Sequence, residues 1–387
     1  MSLFRLIRSA IPVLAVLLAA CSSTPPAPEP KKYPALPPDA AHLRKQWSVR
    51  VGEGVGEENV RLTPVVGEQH VAAASRDGVV VLVDRATGKP VWRHKTGLAL
   101  VGGPALGYGM VAVATAKGEL VAYSETDGAE KWRAALGATA VSAPAIASDT
   151  VVVLAGDGVV HALAREDGAA RWTYNTSVPP LSLHGNAAPL LADNRVYVAS
   201  AAGKIARIDL TTGIPDWELR VATNNGRTEL ERMNDIVADM IRVGDGELYS
   251  VGFQSQLTRT DIEAGRRQWT YDTSSVNDLA EGLGNIFLTD FDGNVLAVDR
   301  ATGKSVWKQP DFAWRHLTNP VVLRSLLAVG DEEGSVHLLS QVDGTVQGRR
   351  SVGGSWFSDS PLVSLMARDD VLYAWDADGR LSAWTLK

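Results

Sequence analysis

The sequence contains one cysteine among 387 residues, and this excludes three kinds of site. A single thiol cannot build a disulfide framework, a thiolate zinc site or an iron–sulfur cluster. Basic residues are also in deficit, since 38 lysines and arginines face 44 aspartates and glutamates, for a net charge of -6. A chain without a basic excess lacks the electrostatic attraction that nucleic-acid binding requires, so we expect no nucleic-acid partner.

Long hydrophobic runs and catalytic groupings are missing as well. No apolar run could supply a series of membrane-spanning helices, whereas 45% hydrophobic residues are too many for a disordered chain. The seven histidines are scattered without metal-ligand spacing, and no nucleophile, base and orienting residue form a motif. We therefore predict no catalytic, cofactor-binding or metal-binding residues, and no cofactor.

The N-terminus has the pattern of an export signal. Two arginines precede an apolar stretch from Ala10 to Ala20, which is too short to span a bilayer. The tetrad Leu18-Ala19-Ala20-Cys21 resembles the lipobox of bacterial lipoproteins, which implies a signal peptide over residues 1–20 and a lipid on Cys21. Ser22 implies, by resemblance to the lipoprotein sorting pattern, anchoring at the periplasmic face of the outer membrane. The alternative is an ordinary secretory signal with an incidental cysteine.

A proline-rich segment follows the tetrad. Residues 22–46 hold seven prolines and few residues that could pack. Such a composition favours an extended polyproline conformation, at about 3.1 Å per residue. We predict that residues 21–46 form a lipidated tether without core contacts, and that the folded part begins near Trp47.

The rest of the chain is one unit repeated eight times. Turn positions recur at intervals of 40, 40, 45, 52, 38, 41 and 45 residues, namely Gly78, Gly118, Gly158, Gly203, Ser255, Gly293, Gly334 and Gly379. A second glycine follows ten residues after each of the first seven. A tryptophan follows fourteen residues after six of them: Trp92, Trp132, Trp172, Trp217, Trp269 and Trp307. Only the seventh differs, with Gly348 in that place.

Each unit contains the elements of a propeller blade. In residues 63–96, three strand-like segments alternate with two hairpin turns, and a short strand near Pro64 precedes them. Four antiparallel strands in about 40 residues predict an all-β, eight-bladed β-propeller over residues 47–387. The last unit ends before its tryptophan, so we expect the strand around Trp47 to complete it and close the ring. The tryptophans are assigned to packing between blades.

Two insertions depart from the repeat. They cover residues 175–188 and 222–239, and alternating strand directions place both on one face. The first carries Leu181 and Leu183, and the second contains Thr228-x-x-Glu231, which predicts a capping box before one or two helical turns. Two interpretations remain open: the apolar residues cover the central hub, or they form a rim that binds a partner.

The chain also resembles a known family. Residues 297–307 (AVDRATGKSVW) look like the repeat of pyrroloquinoline-quinone-type propellers. With the lipobox, the tether, Leu181-Ser182-Leu183, residues 228–235 (TELERMND) and residues 275–278 (SVND), the whole chain resembles the BamB family of assembly lipoproteins.

This resemblance implies a non-enzymatic scaffold of the outer-membrane β-barrel assembly machinery, monomeric outside the complex. The family binds periplasmic domains of BamA through the two inserted loops and works with other machinery subunits. Carried over, the partner-binding residues are Leu181, Leu183, His184 and Asp235. Two positions depart from the family pattern, since His184 replaces an expected arginine and Val237 an expected acid.

Two other functional classes share the architecture. A quinoprotein-like enzyme has the same repeat, but a calcium and quinone site and a vicinal cysteine pair are not visible in this sequence. A periplasmic glycan-binding propeller would need exposed aromatic residues in the loops near the hub. Only Trp314, Trp356 and Phe357 are candidates for such a role.

Overall fold

The computed structural model describes residues 29–56, 60–183, 187–222, 227–228, 230–354 and 360–387. These residues form eight separate four-stranded antiparallel sheets, one for each repeat, arranged as the blades of a ring. The predicted all-β, eight-bladed propeller is confirmed. No helix among the described residues has the length and apolar character needed to cross a membrane.

Within each of the first seven blades the strands pair in chain order, from the inner first strand to the outer fourth. Blade 1 contains β2 (Val65–Val66), β3 (His70–Ala74), β4 (Val79–Asp84) and β5 (Pro90–Lys95), and blade 2 contains β6 (Leu100–Gly107), β7 (Met110–Thr115), β8 (Glu119–Ser124) and β9 (Glu130–Ala135). Blade 3 contains β10 (Ala145–Ile146), β11 (Thr150–Leu154), β12 (Val159–Ala164) and β13 (Ala170–Asn175), and blade 4 contains β14 (Leu190–Ala192), β15 (Arg195–Ala199), β16 (Lys204–Asp209) and β17 (Pro215–Arg220).

The other four blades follow the same plan. Blade 5 contains β18 (Ile241–Val243), β19 (Glu247–Ser250), β20 (Gln256–Asp261) and β21 (Arg266–Asp272), and blade 6 contains β22 (Ala280–Gly282), β23 (Asn285–Thr289), β24 (Val295–Asp299) and β25 (Ser305–Gln309). Blade 7 contains β26 (Val321–Leu323), β27 (Leu326–Gly330), β28 (Ser335–Ser340) and β29 (Val346–Ser351), and blade 8 contains β30 (Leu362–Arg368), β31 (Val371–Asp376), β32 (Arg380–Leu386) and β1 (Leu43–Arg50).

The eighth blade is closed by the N-terminal strand. β1 pairs antiparallel with β32 from Leu43 opposite Leu386 to Arg50 opposite Arg380. Without β1, the outer edge of β32 would be unpaired, and another chain could add a strand there. The closure is as predicted, but the strand begins four residues before Trp47, because Leu43 is buried in the core between blades 7 and 8.

A tryptophan and a glycine form the joint between successive blades. The Trp47 indole donates a hydrogen bond of 3.0 Å to the Arg85 carbonyl oxygen of blade 1 and packs on Gly88. A Cβ atom on Gly88 would lie 2.5 Å from that ring, and its φ of 69° also favours glycine. The six tryptophans of blades 1 to 6 repeat this joint with hydrogen bonds of 2.8 to 3.1 Å. The assignment of the tryptophans to packing between blades agrees with this geometry.

A β-bulge precedes each joint. In blade 1, Leu82 pairs with Trp92 and Val83 with Pro90, so Val91 is the extra residue of the outer strand. The same shift occurs between Lys45 and Trp47 in β1. A bulge bends its strand and redirects the next side chain, which here aims the indole at the neighbouring blade.

Blade 7 replaces the tryptophan joint with another segment of the chain. Residues 31–42, here called the strap, lie along the outer strand β29, and the Ala41 amide donates a 2.7 Å hydrogen bond to the Gln347 carbonyl oxygen. A Cβ atom on Gly348 would lie 2.3 Å from the Ala41 carbonyl oxygen, so the strap needs a glycine there. The prediction of a tether without core contacts is therefore wrong for this part of residues 21–46. An extended, proline-rich chain fits beside a strand without needing a core of its own.

Candidate functional site

The links between blades emerge on one face of the ring, here called the loop face. Each runs from the fourth strand of one blade to the first strand of the next, and alternating strand directions put all of them on the same side. Residues 175–188 and 222–239, the insertion loops, connect blades 3 and 4 and blades 4 and 5. They are neighbours on the loop face.

The first insertion loop presents apolar side chains to solvent. Leu181 is 40% exposed and Val178 is 45% exposed, whereas Leu183 is half-buried. Val178, Pro179 and Pro180 line a groove of about 370 Å³ beside the blade 3 turn. Exposed apolar residues next to a groove are typical of protein interfaces. Leu181 therefore lies at the surface of the loop face.

The second insertion loop contains the predicted capping box. The Glu231 amide donates a 3.2 Å hydrogen bond to the Thr228 hydroxyl oxygen, and the Thr228 amide donates one of 3.3 Å to a Glu231 carboxylate oxygen. A single 3-10 turn, Leu230–Arg232, follows. Leu230 is 62% exposed while Met233 is buried, so the turn divides its apolar residues between the surface and the core.

A hydrogen bond to Asp235 of the second insertion loop connects it to the first. Its side chain is buried, and its carboxylate accepts a hydrogen bond from the Leu183 amide. The sequence resemblance suggests a surface role in partner binding for this residue. The structure places Asp235 beneath the first loop, where it positions Leu183 and the residues before it.

A second connection lies closer to the hub. The Ala188 amide donates a 2.7 Å hydrogen bond to Asp239, and the Asp239 amide donates one of equal length to Asp278. Arg61, from the link between blades 8 and 1, spans the hub and pairs with Asp239 at 3.2 Å and Asp278 at 3.0 Å. It also donates a hydrogen bond to the Val237 carbonyl oxygen. The insertion loops are thus tied to the opposite side of the ring.

The charges in this cluster depend on one another. Burial alone would lower the pKa of Arg61, but the negative charges of Asp239 and Asp278 outweigh it and hold that pKa above its ordinary value. Burial raises the pKa of Asp239, and Arg61 opposes this effect. Sequence reasoning missed Arg61 because it lies outside the repeated columns; only Asp278 belonged to a motif that we had singled out.

Several predicted residues lie outside the described part of the chain. They are Cys21, His184, and the aromatic pair Trp356 and Phe357. Trp314 is described and is 42% exposed on the loop face. Across the residues that the structure describes, no three His, Cys, Asp or Glu side chains converge as a metal site.

Comparisons with known proteins identify the family. The model of the family described as outer membrane protein assembly factor BamB matches residues 76–309. A relative of that name from Pseudomonas aeruginosa is 45% identical over 379 residues, which cover 98% of each chain. Another from Escherichia coli is 32% identical over 343 residues, which cover 85% of this chain and 87% of the relative.

Solved structures agree with these relatives. The crystal structure of BamB from Moraxella catarrhalis matches with a TM-score of 0.80 and 29% identity, covering 89% of this chain and all of that one. The quinohemoprotein alcohol dehydrogenase from Comamonas testosteroni matches with a TM-score of 0.68 but only 13% identity, covering 88% of this chain and 76% of that one, so it shares the fold alone. The chain belongs to the BamB family of outer membrane protein assembly factors.

Proposed function

We propose that the chain is a non-enzymatic scaffold of the outer-membrane β-barrel assembly machinery. It binds the periplasmic domains of BamA through the insertion loops, works beside the other subunits, and is monomeric outside the complex. A lipid on Cys21 anchors it to the periplasmic face of the outer membrane. The observation that supports this proposal is a pair of connected insertion loops that expose Leu181 and Leu230 on one face of a rigid ring.

The physical basis of binding is burial of apolar side chains on a prearranged surface. Asp235 and Asp239 hold the first insertion loop through the Leu183 and Ala188 amides. A loop that is already ordered loses less conformational entropy when a partner binds. Leu181 supplies an exposed apolar anchor, and Leu183 supports it from a half-buried position.

Replacing both leucines with serine tests the proposed interface. We expect the Leu181→Ser/Leu183→Ser variant to bind BamA about thirtyfold more weakly, equivalent to about 2 kcal/mol, because anchors carry most of the binding energy. The measurement is co-purification of BamA with the lipidated chain from detergent-solubilised envelopes, followed by titration with its periplasmic domains.

The matched control is Ile214→Ser/Leu283→Ser. These residues are 66% and 67% exposed in turns on the opposite face. We expect the control to retain BamA, and circular dichroism should show both variants folded. Equal retention of BamA by the two variants would reject the insertion loops as the binding surface.

Substitutions of Asp235 distinguish positioning from direct contact. Asp235→Ala removes the acceptor of the Leu183 amide, so we expect faster hydrogen exchange in residues 176–183 and about tenfold weaker BamA binding. Asp235→Asn keeps an acceptor oxygen without the charge and should restore most of both. Equally weak BamA binding in the two variants, with hydrogen exchange restored in Asp235→Asn, would instead indicate that the carboxylate charge acts on the partner.

A further inference from the structure

Tyr33 holds the strap near its N-terminal end. The Tyr33 hydroxyl donates to Asp331 at 2.7 Å or to Glu333 at 2.6 Å. Its ring centroid lies 3.7 Å from the Arg315 guanidinium and 4.3 Å from that of Arg349. Cation–π contacts and charge-assisted hydrogen bonds of this kind make a specific docking site for one aromatic residue.

The ring is shaped to receive the strap. Gly348 occupies the position that holds tryptophan in the other joints, and a side chain there would collide with Ala41. Arg315 is only 4% exposed, and it donates hydrogen bonds to the Lys31 carbonyl oxygen, one of them of 2.8 Å from its Nε atom. A buried arginine that donates to a backbone oxygen of the strap indicates a specific contact between the ring and the strap.

The strap leaves the ring at a defined place. The Lys31 ammonium donates a 2.9 Å hydrogen bond to the Pro310 carbonyl oxygen, and the Lys31 amide donates one of 3.3 Å to that of Ala313. Pro310 and Ala313 belong to the link between blades 6 and 7. This link lies on the loop face, as do the insertion loops.

We infer that the strap is a mount that keeps the loop face turned towards the membrane, an inference that rests on the proposed lipid attachment at Cys21. Lys31 is ten positions after Cys21, and a fully extended chain spans at most about 3.6 Å per position, or about 36 Å. If the strap were free, the tether would extend to Leu43 and reach about 79 Å. Docking therefore halves the reach and fixes the side of the ring from which the anchor emerges.

The first test examines docking in the detergent-solubilised mature chain. Tyr33→Ala removes the aromatic contact of the strap, and Gly348→Ala places a methyl group where the Ala41 carbonyl oxygen lies. We expect trypsin to cleave after Lys31 and Lys32 at least tenfold faster in both variants. The control Tyr108→Ala alters a 60% exposed tyrosine on the opposite face and should cleave like the unmodified chain. Unchanged cleavage in both strap variants would overturn the inference.

The second test measures orientation on phospholipid vesicles. A donor dye is placed at His316→Cys on the loop face or at Leu283→Cys in a turn on the opposite face of blade 6, and the acceptor is a labelled lipid headgroup. His316 and Leu283 have exposed side chains. We expect at least twofold greater energy transfer from position 316, and Tyr33→Ala should remove most of this difference.

The outcomes of the second test distinguish the orienting role of the strap from lipid attachment at Cys21. Equal energy transfer from both dyes on chains that float with the vesicles would contradict the mount and leave the anchor intact. Failure of the mature chain to float would contradict lipid attachment, and the mount with it. Greater transfer from position 316 that persists in Tyr33→Ala would show that something other than the strap orients the ring, which also contradicts the inference.

Discussion

Replacing Trp47 with alanine should lower the free energy of unfolding by about 3–5 kcal/mol, as large aromatic truncations in cores do. Trp47 is 9% exposed, its ring centroid lies 5.9 Å from that of Tyr373, and its indole joins blade 8 to blade 1. The substitution removes this packing and also leaves the Arg85 carbonyl oxygen without its indole donor. Urea unfolding followed by circular dichroism measures the loss.

Two comparisons make the Trp47 result informative. Trp132→Ala affects an equivalent joint between blades 2 and 3, where the residue is 7% exposed. A similar loss in both variants would show that the closing joint is as strong as one within the continuous chain. Trp47→Phe keeps most of the apolar contact and should lose about 1 kcal/mol for the hydrogen bond. A silent Trp47→Ala variant would mean that β1 does not close the ring in solution.

Replacing Arg61 with alanine should cost about 3 kcal/mol. Removing one partner of a buried ion pair costs about 3–5 kcal/mol, because the other charge stays uncompensated. The lower end applies because the side chains of Arg61, Asp239 and Asp278 keep 22%, 40% and 29% of their surface accessible. Urea unfolding at pH 7 measures the loss, and Asp239→Asn/Asp278→Asn in the same background should recover part of it.

The cost of Arg61→Ala should also depend on pH. Burial raises the pKa of Asp239, so the folded state binds a proton more readily than the unfolded state. Stability of the variant should therefore increase as the pH falls from 7 towards the ordinary carboxyl range near 4. Protonated carboxyl groups need no arginine, and the difference from the unmodified chain should shrink. A loss that is independent of pH would show that Arg61 acts mainly through packing and its bond to Val237.

The fold could be predicted from the spacing of the repeat. The structure at positions that break the repeat could not be predicted in this way. Gly88 and Trp92 recur because each joint needs a glycine turn beneath an indole, so local spacing carries the information. Gly348 was visible as an exception, but its reason lies in Ala41, more than 300 residues away in sequence. The position of the strap depends on this distant contact.

The candidate site was likewise predictable only where its features depend on local sequence. The insertion loops and the capping box follow from spacing and local hydrogen bonding, and both were predicted. The burial of Asp235 and the reach of Arg61 across the hub depend on how the blades are arranged around the ring. Neither residue carries a local pattern that distinguishes it from the solvent-exposed acids and bases of the turns.

The pairing of β1 with β32 also constrains the order of folding. The first strand of the ring is made early and its partner is made last, so blade 8 cannot be completed until the whole chain has emerged. Each doubling of loop length adds only about 0.6 kcal/mol of closure entropy, so the thermodynamic penalty for joining distant ends is modest. The kinetic consequence is larger, because non-local strand pairing is slow and unpaired edges are prone to aggregation. Until β32 is made, β1 has no strand to pair with in its own blade.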